Sequence, residues 1–174
     1  MIRKATMEDM EQLKIVYHNA RQYMKQTGNP TQWGDTNPAI ERLEKDIEIG
    51  QLYVCHEGEE IYGAFVLQFG IEPNYVTPYE GAWLNDAPYG TIHRIGSGGT
   101  HKGVFDEAIG WCKMQIDNLR IDTHPNNKTM QHLCERSDFH KCGVLEVKRD
   151  GSTRIMYQWI KGVTGDQAKK PHLT

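Results

Sequence analysis

The chain has 174 residues, 38% hydrophobic and 25% charged, with 20 Lys and Arg against 23 Asp and Glu for a formal charge of -3. Those values fit one globular domain with a real core, residues 1–161, followed by a polar tail over 162–174 with little to bury. The chain carries no broad basic field, which argues against nucleic acid or an anionic membrane as main partner, and no apolar run long enough to span a bilayer.

The first residues lack an apolar signal core, so a cytoplasmic protein is expected. Four cysteines (Cys55, Cys112, Cys134 and Cys142) show neither a CxxC pair nor zinc-like spacing, and free thiols are the expectation. His124, His132 and His140 recur every eight residues, which places no pair at the i, i+4 positions of one helix. Surface or capping histidines are therefore expected, with no metal.

In chain order, Ile2 to Ala5 is short enough for an edge strand, and Thr6 can cap a helix with Glu8 and Asp9 in its first turn. Met10, Leu13, Tyr17, Ala20 and Met24 form an apolar stripe on that helix, which Gly28-Asn29-Pro30 ends. A polar loop with Gln32 and Trp33 leads to a second helix carrying Ile40, Leu43 and Ile47 on one side. Residues 51–56 and 61–69 then read as strands joined at Glu57 to Glu60. Residues 70–89 are irregular, holding Tyr75, Tyr79, Trp83 and Tyr89, and a connection that long usually carries function.

Thr91 to Ile95 reads as a strand. It runs into Gly96-Ser97-Gly98-Gly99-Thr100-His101-Lys102-Gly103 and then a helix with Val104, Ala108, Ile109, Trp111, Cys112 and Ile116 at helical spacing. A strand at 119–123, a helix at 126–137, a strand at 139–147, a turn at 149–152 and a last strand through Ile155, Tyr157 and Trp159 complete the order β-α-α-β-β-β-α-β-α-β-β. Strand, glycine-rich loop and helix together offer inward backbone N–H groups and a positive dipole end, a combination that binds phosphate or pyrophosphate. The loop is no P-loop, because Gly98 to Gly103 is followed by Val104. It also lies too late in the chain for a dinucleotide fold.

Element order and loop resemble the GCN5-related N-acetyltransferase (GNAT) superfamily over residues 2 to 160. Thr100-His101-Lys102-Gly103-Val104-Phe105 aligns with that family's pyrophosphate loop, [RQ]xxGx[GA]. Gly103 keeps its place, while Thr100 and Phe105 depart from the pattern. Asn127 to Phe139 resembles the family's second run, N-xxxxx-L-Y-E-[KR]-x-G-F. Asn127, Leu133, Glu135, Arg136 and Phe139 agree, Cys134 stands for the tyrosine, and Asp138 stands for the glycine.

The resemblance implies an α/β (α+β) fold with a mixed, mostly antiparallel sheet of about seven strands and four helices. It implies acetyl-CoA as co-substrate, with the pantetheine arm between splayed fourth and fifth strands, held by backbone near Ile95 and Ser97. Backbone N–H groups of Thr100, His101, Lys102, Gly103, Val104 and Phe105 would take the pyrophosphate, and Asn127 would contact the CoA. An amine would attack the thioester directly, so alignment, oxyanion stabilisation and proton management are the protein's tasks.

For proton transfer the candidates are His93, Glu80 and Glu72 as base and Cys134 as acid toward the CoA sulfur; an imidazole's unperturbed pKa is near 6.5. Structural readings stand beside these roles, with His93 on a solvated strand face and Cys134 as a small core residue. Gln32, Trp33, Tyr79 and Trp83 are the expected acceptor pocket, with Tyr75, Asn85 and Asp86 nearby, and a small cationic amine is the expected acceptor. The alternative for the aromatics is packing onto the sheet or a dimer contact, and a homodimer is a family expectation. Other functions in view are a non-catalytic acyl-CoA sensor and a protein N-acetyltransferase.

Overall fold

A computed structural model describes residues 1–147 and 151–164. The expected turn at Arg149 and Asp150 and nearly all of the expected tail lie outside the described residues. Seven strands form one sheet in the order β1-β2-β3-β4-β5-β7-β6. They are β1 (Ile2–Lys4), β2 (Leu52–Glu57), β3 (Glu60–Phe69), β4 (Gly90–Ser97), β5 (Asn118–Thr123), β6 (His140–Glu146) and β7 (Thr153–Ile160). The helices are α1 (Met10–Gln26), α2 (Ile40–Glu48), α3 (Val104–Gln115) and α4 (Lys128–Arg136). Fold class and element order are those expected from the sequence. No helix among the described residues is long and apolar enough to cross a membrane.

The residues group into two compact units, 1–68 with 92–112 and 69–91 with 113–174. In the first, β1 pairs antiparallel with β2, and β2 with β3. The α1 stripe packs there as the spacing requires: Met10, Leu13, Tyr17 and Ala20 are buried, with Leu43, Leu52, Val54 and Val66 among the core. Ile40, expected on the apolar side of α2, is exposed, while Leu43 is buried and Ile47 packs against the core. Thr6 begins a 3-10 turn, Met7–Asp9, and the Asp9 carboxylate reaches back to accept from the Thr6 N–H at 2.8 Å. The same carboxylate accepts a two-pronged bond from Arg3 at 2.7 and 2.8 Å, which lowers its pKa.

In the second unit, β5 pairs antiparallel with β7, and β7 with β6. The long insert after β3 docks on the free edge of β6. Tyr79 exchanges two backbone hydrogen bonds with Val144, at 2.8 and 3.0 Å. Where the insert covers it, at Val144, the edge cannot template pairing with another chain. Gly81 and Gly143 make the approach sterically allowable: a Cβ on Gly81 would stand 2.1 Å from the Cys142 carbonyl oxygen.

Candidate functional site

The glycine-rich loop lies in the first unit. Gly98 donates to the Tyr62 carbonyl at 2.8 Å, and Asn19 of α1 donates to the Gly98 carbonyl at 2.9 Å. Ser97 Oγ accepts from the Gly99 N–H at 3.2 Å. Gly99 and Gly103 have φ of +86° and +76°, values that glycine adopts without penalty. Gly103 caps α3, its carbonyl accepting from the Glu107 N–H at 3.0 Å. Thr100, Lys102 and Gly103 are exposed, whereas Val104 and Phe105 are buried. The bulky Phe105 therefore belongs to the core of α3, and its ring does not fill the exposed loop.

His101 stacks on Tyr62 at 4.0 Å between ring centroids, with its ring nitrogens 3.4 Å from Glu57 and 3.8 Å from Glu60. Glu107, in the first turn of α3, would repel a phosphate if solvated. Its carboxylate instead accepts from Tyr62 Oη at 2.7 Å and from the Met1 ammonium at 3.0 Å.

Strand β4 brings His93, Ile95 and Ser97 past the same region, all half-buried. Between them Arg94 has φ of +50°, the left-handed region, inside a strand. Such a residue costs about 1–3 kcal/mol and persists only where its surroundings impose it. Two contacts do so here. Tyr17 Oη donates to the Arg94 carbonyl at 2.8 Å, and Arg94 Nε stands 2.8 Å from the fully buried Asp46 carboxylate. Burial lowers the Arg94 pKa, partly offset by Asp46, and burial raises that of Tyr17. Trp33 meets Tyr17 edge-on at 5.7 Å, and Gln32 accepts from the Asn29 amide at 2.8 Å, so the loop after α1 is tied to the same core.

The remaining expected site residues lie in the second unit. Glu80 is exposed with φ of +55°, and Tyr79 is 65% exposed beside its backbone bridge. Trp83 and Tyr89 each place a ring 3.9 Å from the Arg120 guanidinium, which is sandwiched between them. That aromatic box is filled by the chain's own cation, and Arg120 also donates to the Asn85 carbonyl at 2.8 Å. Asn127 Oδ1 caps α4 by accepting from the Met130 N–H at 3.0 Å. Cys134 is 0% exposed, and burial raises its pKa, so it is a neutral thiol. A group so enclosed presents no atom to a ligand in this conformation. All four cysteines are unpaired and buried, Cys55 pushed up to about 12 and Cys142 to about 11 by burial.

Sequence reasoning passed over Asp46, Asn19 and Arg120, and placed Tyr17 only in the apolar stripe of α1. Asp46 had a readable signal, since three residues after Leu43 it falls on the buried side of α2. Arg120 had none, because its partners are more than thirty residues away.

No protein-family model matches the chain, and neither does any curated protein. Solved structures do. A GNAT-family acetyltransferase from Streptococcus agalactiae is 29% identical, with 94% of this chain and 96% of that one covered and a TM-score of 0.79. A putative acetyltransferase from Staphylococcus aureus is 26% identical over 92% of this chain and 98% of that one, with a TM-score of 0.63. A GNAT-family acetyltransferase from Listeria monocytogenes, 20% identical over 92% and 94%, shares the fold at a TM-score of 0.63. Fold, loop and these likenesses define a protein of the acyltransferase class. The fold is that of the GCN5-related N-acetyltransferase superfamily, to whose solved structures the chain is similar over nearly its whole length.

Proposed function

We propose that this protein moves an acetyl group from acetyl-CoA to a primary amine of a small molecule, by direct attack in a ternary complex. The observation that supports this best is the exposed loop from Gly99 to Gly103 opening α3, with Phe105 turned into the core. Backbone donors need no particular side chain, so Thr100 in place of Arg or Gln leaves anion binding intact. The N–H groups from Thr100 to Phe105 would hold the pyrophosphate, and β4 backbone at Ile95 and Ser97 would hold the pantetheine arm. Acetyl-CoA supplies the activated thioester; the chain aligns the amine, excludes water and takes the amine proton.

We assign the base role to His93, half-buried on β4, ahead of Glu80, which is exposed on a turn. Gln32 and Trp33 would line the acceptor end, where a small amine fits the ordered loop after α1. With Cys134 enclosed, solvent or the protonated nitrogen of the tetrahedral intermediate would give the departing CoA sulfur its proton.

Calorimetric titration with acetyl-CoA, CoA and desulfo-CoA, followed by CoA release over an amine panel, tests this reading. Micromolar binding of all three with amine-dependent CoA release is expected. Binding without release for any amine would make the chain an acyl-CoA sensor. No binding would remove acetyl-CoA from the reading altogether.

A further inference from the structure

Arg94 is a left-handed arginine in the middle of a strand, and its neighbours show what holds it there. Asp46, in the last turn of α2, is 0% exposed, an unusual place for a carboxylate without a task. Its Oδ1 accepts from Gln51 Nε2 at 2.8 Å and lies 3.4 Å from Arg42 Nε, while its Oδ2 faces Arg94. Arg94 is itself mostly enclosed, its side chain 17% exposed, so the ion pair is shielded from water and salt. One handle thus grips the Arg94 side chain, and a second, Tyr17 Oη, grips its carbonyl.

A left-handed residue reverses the local alternation of a strand. The next peptide, which carries the Ile95 N–H, is therefore aimed by the Arg94 backbone. On the other side of that peptide Gly96 lies against the Tyr17 ring, where a Cβ would come to 3.3 Å, so the segment has little room to relax.

We infer that Asp46 is a positioning residue: its buried carboxylate holds Arg94 left-handed and so sets the β4 backbone groups at Ile95 and Ser97 that receive the acyl-CoA arm. This rests on the acetyl-CoA reading above. Asp46 touches no reacting atom in this scheme. It acts through the Arg94 backbone, and the acceptor loop shares the device because Trp33 leans on the same Tyr17.

The test compares variants that lack the ion pair alike but differ in tolerance of positive φ. Asp46→Asn and Asp46→Asn/Arg94→Ala are expected to bind acetyl-CoA about tenfold more weakly than wild type, equivalent to about 1.4 kcal/mol. Asp46→Asn/Arg94→Gly is expected within about threefold of wild type, because glycine adopts this φ unaided. Both double variants should melt below wild type, since both have lost the same buried ion pair, so an affinity recovered by the glycine pair alone separates positioning from mere stabilisation. Equal affinities for the glycine and alanine pairs would overturn the inference, as would wild-type affinity in Asp46→Asn. The three-bond HN–Hα coupling of residue 94 and the Ile95 amide shift, in wild type and Asp46→Asn, read the backbone without ligand. Unchanged values in Asp46→Asn overturn the hold on Arg94 even if the single variant is too unstable for calorimetry. A wild type that binds no acetyl-CoA defeats the functional reading instead, and the coupling still decides whether Asp46 holds the strand.

Discussion

Gly143→Ala should unseat the insert from the edge of β6. Gly143 has φ of +127°, and a Cβ there would stand 2.5 Å from the Tyr79 carbonyl oxygen and 2.9 Å from Pro78 Cβ. The first obstacle is backbone and cannot rotate away. Alanine at such a φ costs about 1–3 kcal/mol. The two Tyr79–Val144 hydrogen bonds, at about 0.5–1.5 kcal/mol each, are stretched or lost as the strand backs off. Together these come to roughly 2–6 kcal/mol, or about 4–24 °C in Tm for a chain of this size. Thermal and urea melts by circular dichroism measure the loss, and limited proteolysis within residues 70–89 reports whether the insert is what has come free. A variant that melts within about 2 °C of wild type with an equally protected insert would refute the close-approach reasoning.

Gly63→Ala should weaken acetyl-CoA binding by moving the start of α3, since its Cβ would fall 2.4 Å from Val104 Cγ1; adding Val104→Ala deletes that atom and should restore affinity in the same titration. Arg120→Ala empties the Trp83–Tyr89 box and should cost about 2–4 kcal/mol in urea melts, with a shift in tryptophan emission. Asp9→Asn should cost about 1 kcal/mol at neutral pH through the lost two-pronged ion pair with Arg3. Because the Asp9 pKa is lowered by Arg3, that stability is present above the unfolded carboxylate pKa of about 3.9 and vanishes as pH falls through the lower folded value. The two proteins' melts should therefore converge in strong acid. Cys134→Ala should keep kcat within about threefold, whereas a general acid would show a loss of about 100-fold or more.

The element order was legible because periodicity reports burial, and burial decided the elements: every stripe residue of α1 up to Ala20 is buried, with Val16 joining them on the core face. Boundaries moved by one to three residues where caps compete, as at Thr6, whose capping turn is 3-10 before it is α-helical. The loop was legible because glycine at positive φ leaves a mark in composition. The left-handed Arg94 was not, since nothing in the identity of an arginine announces that conformation; only the contacts of Tyr17 and Asp46 impose it. Trp83 illustrates the opposite failure. An aromatic residue in an irregular insert suggests a receptor for a cation, and the cation it holds belongs to the chain itself, from a strand distant in sequence.

These placements bear on how the proposed acetyl-CoA site would survive departures from the family's motif. A pyrophosphate held by N–H groups depends on where the backbone runs, and side chains at Thr100 and Phe105 bear on that little: one is solvated, the other is packed inward. What fixes the backbone lies outside the motif. Asn19 and Tyr62 hold Gly98, Gly63 admits Val104, and Asp46 with Tyr17 holds Arg94. Sensitivity to substitution should follow the same division. Exchanging Thr100 for Ala should change acetyl-CoA affinity little, while Gly63→Ala or Asp46→Asn, each without a ligand-facing atom in this scheme, should change it more.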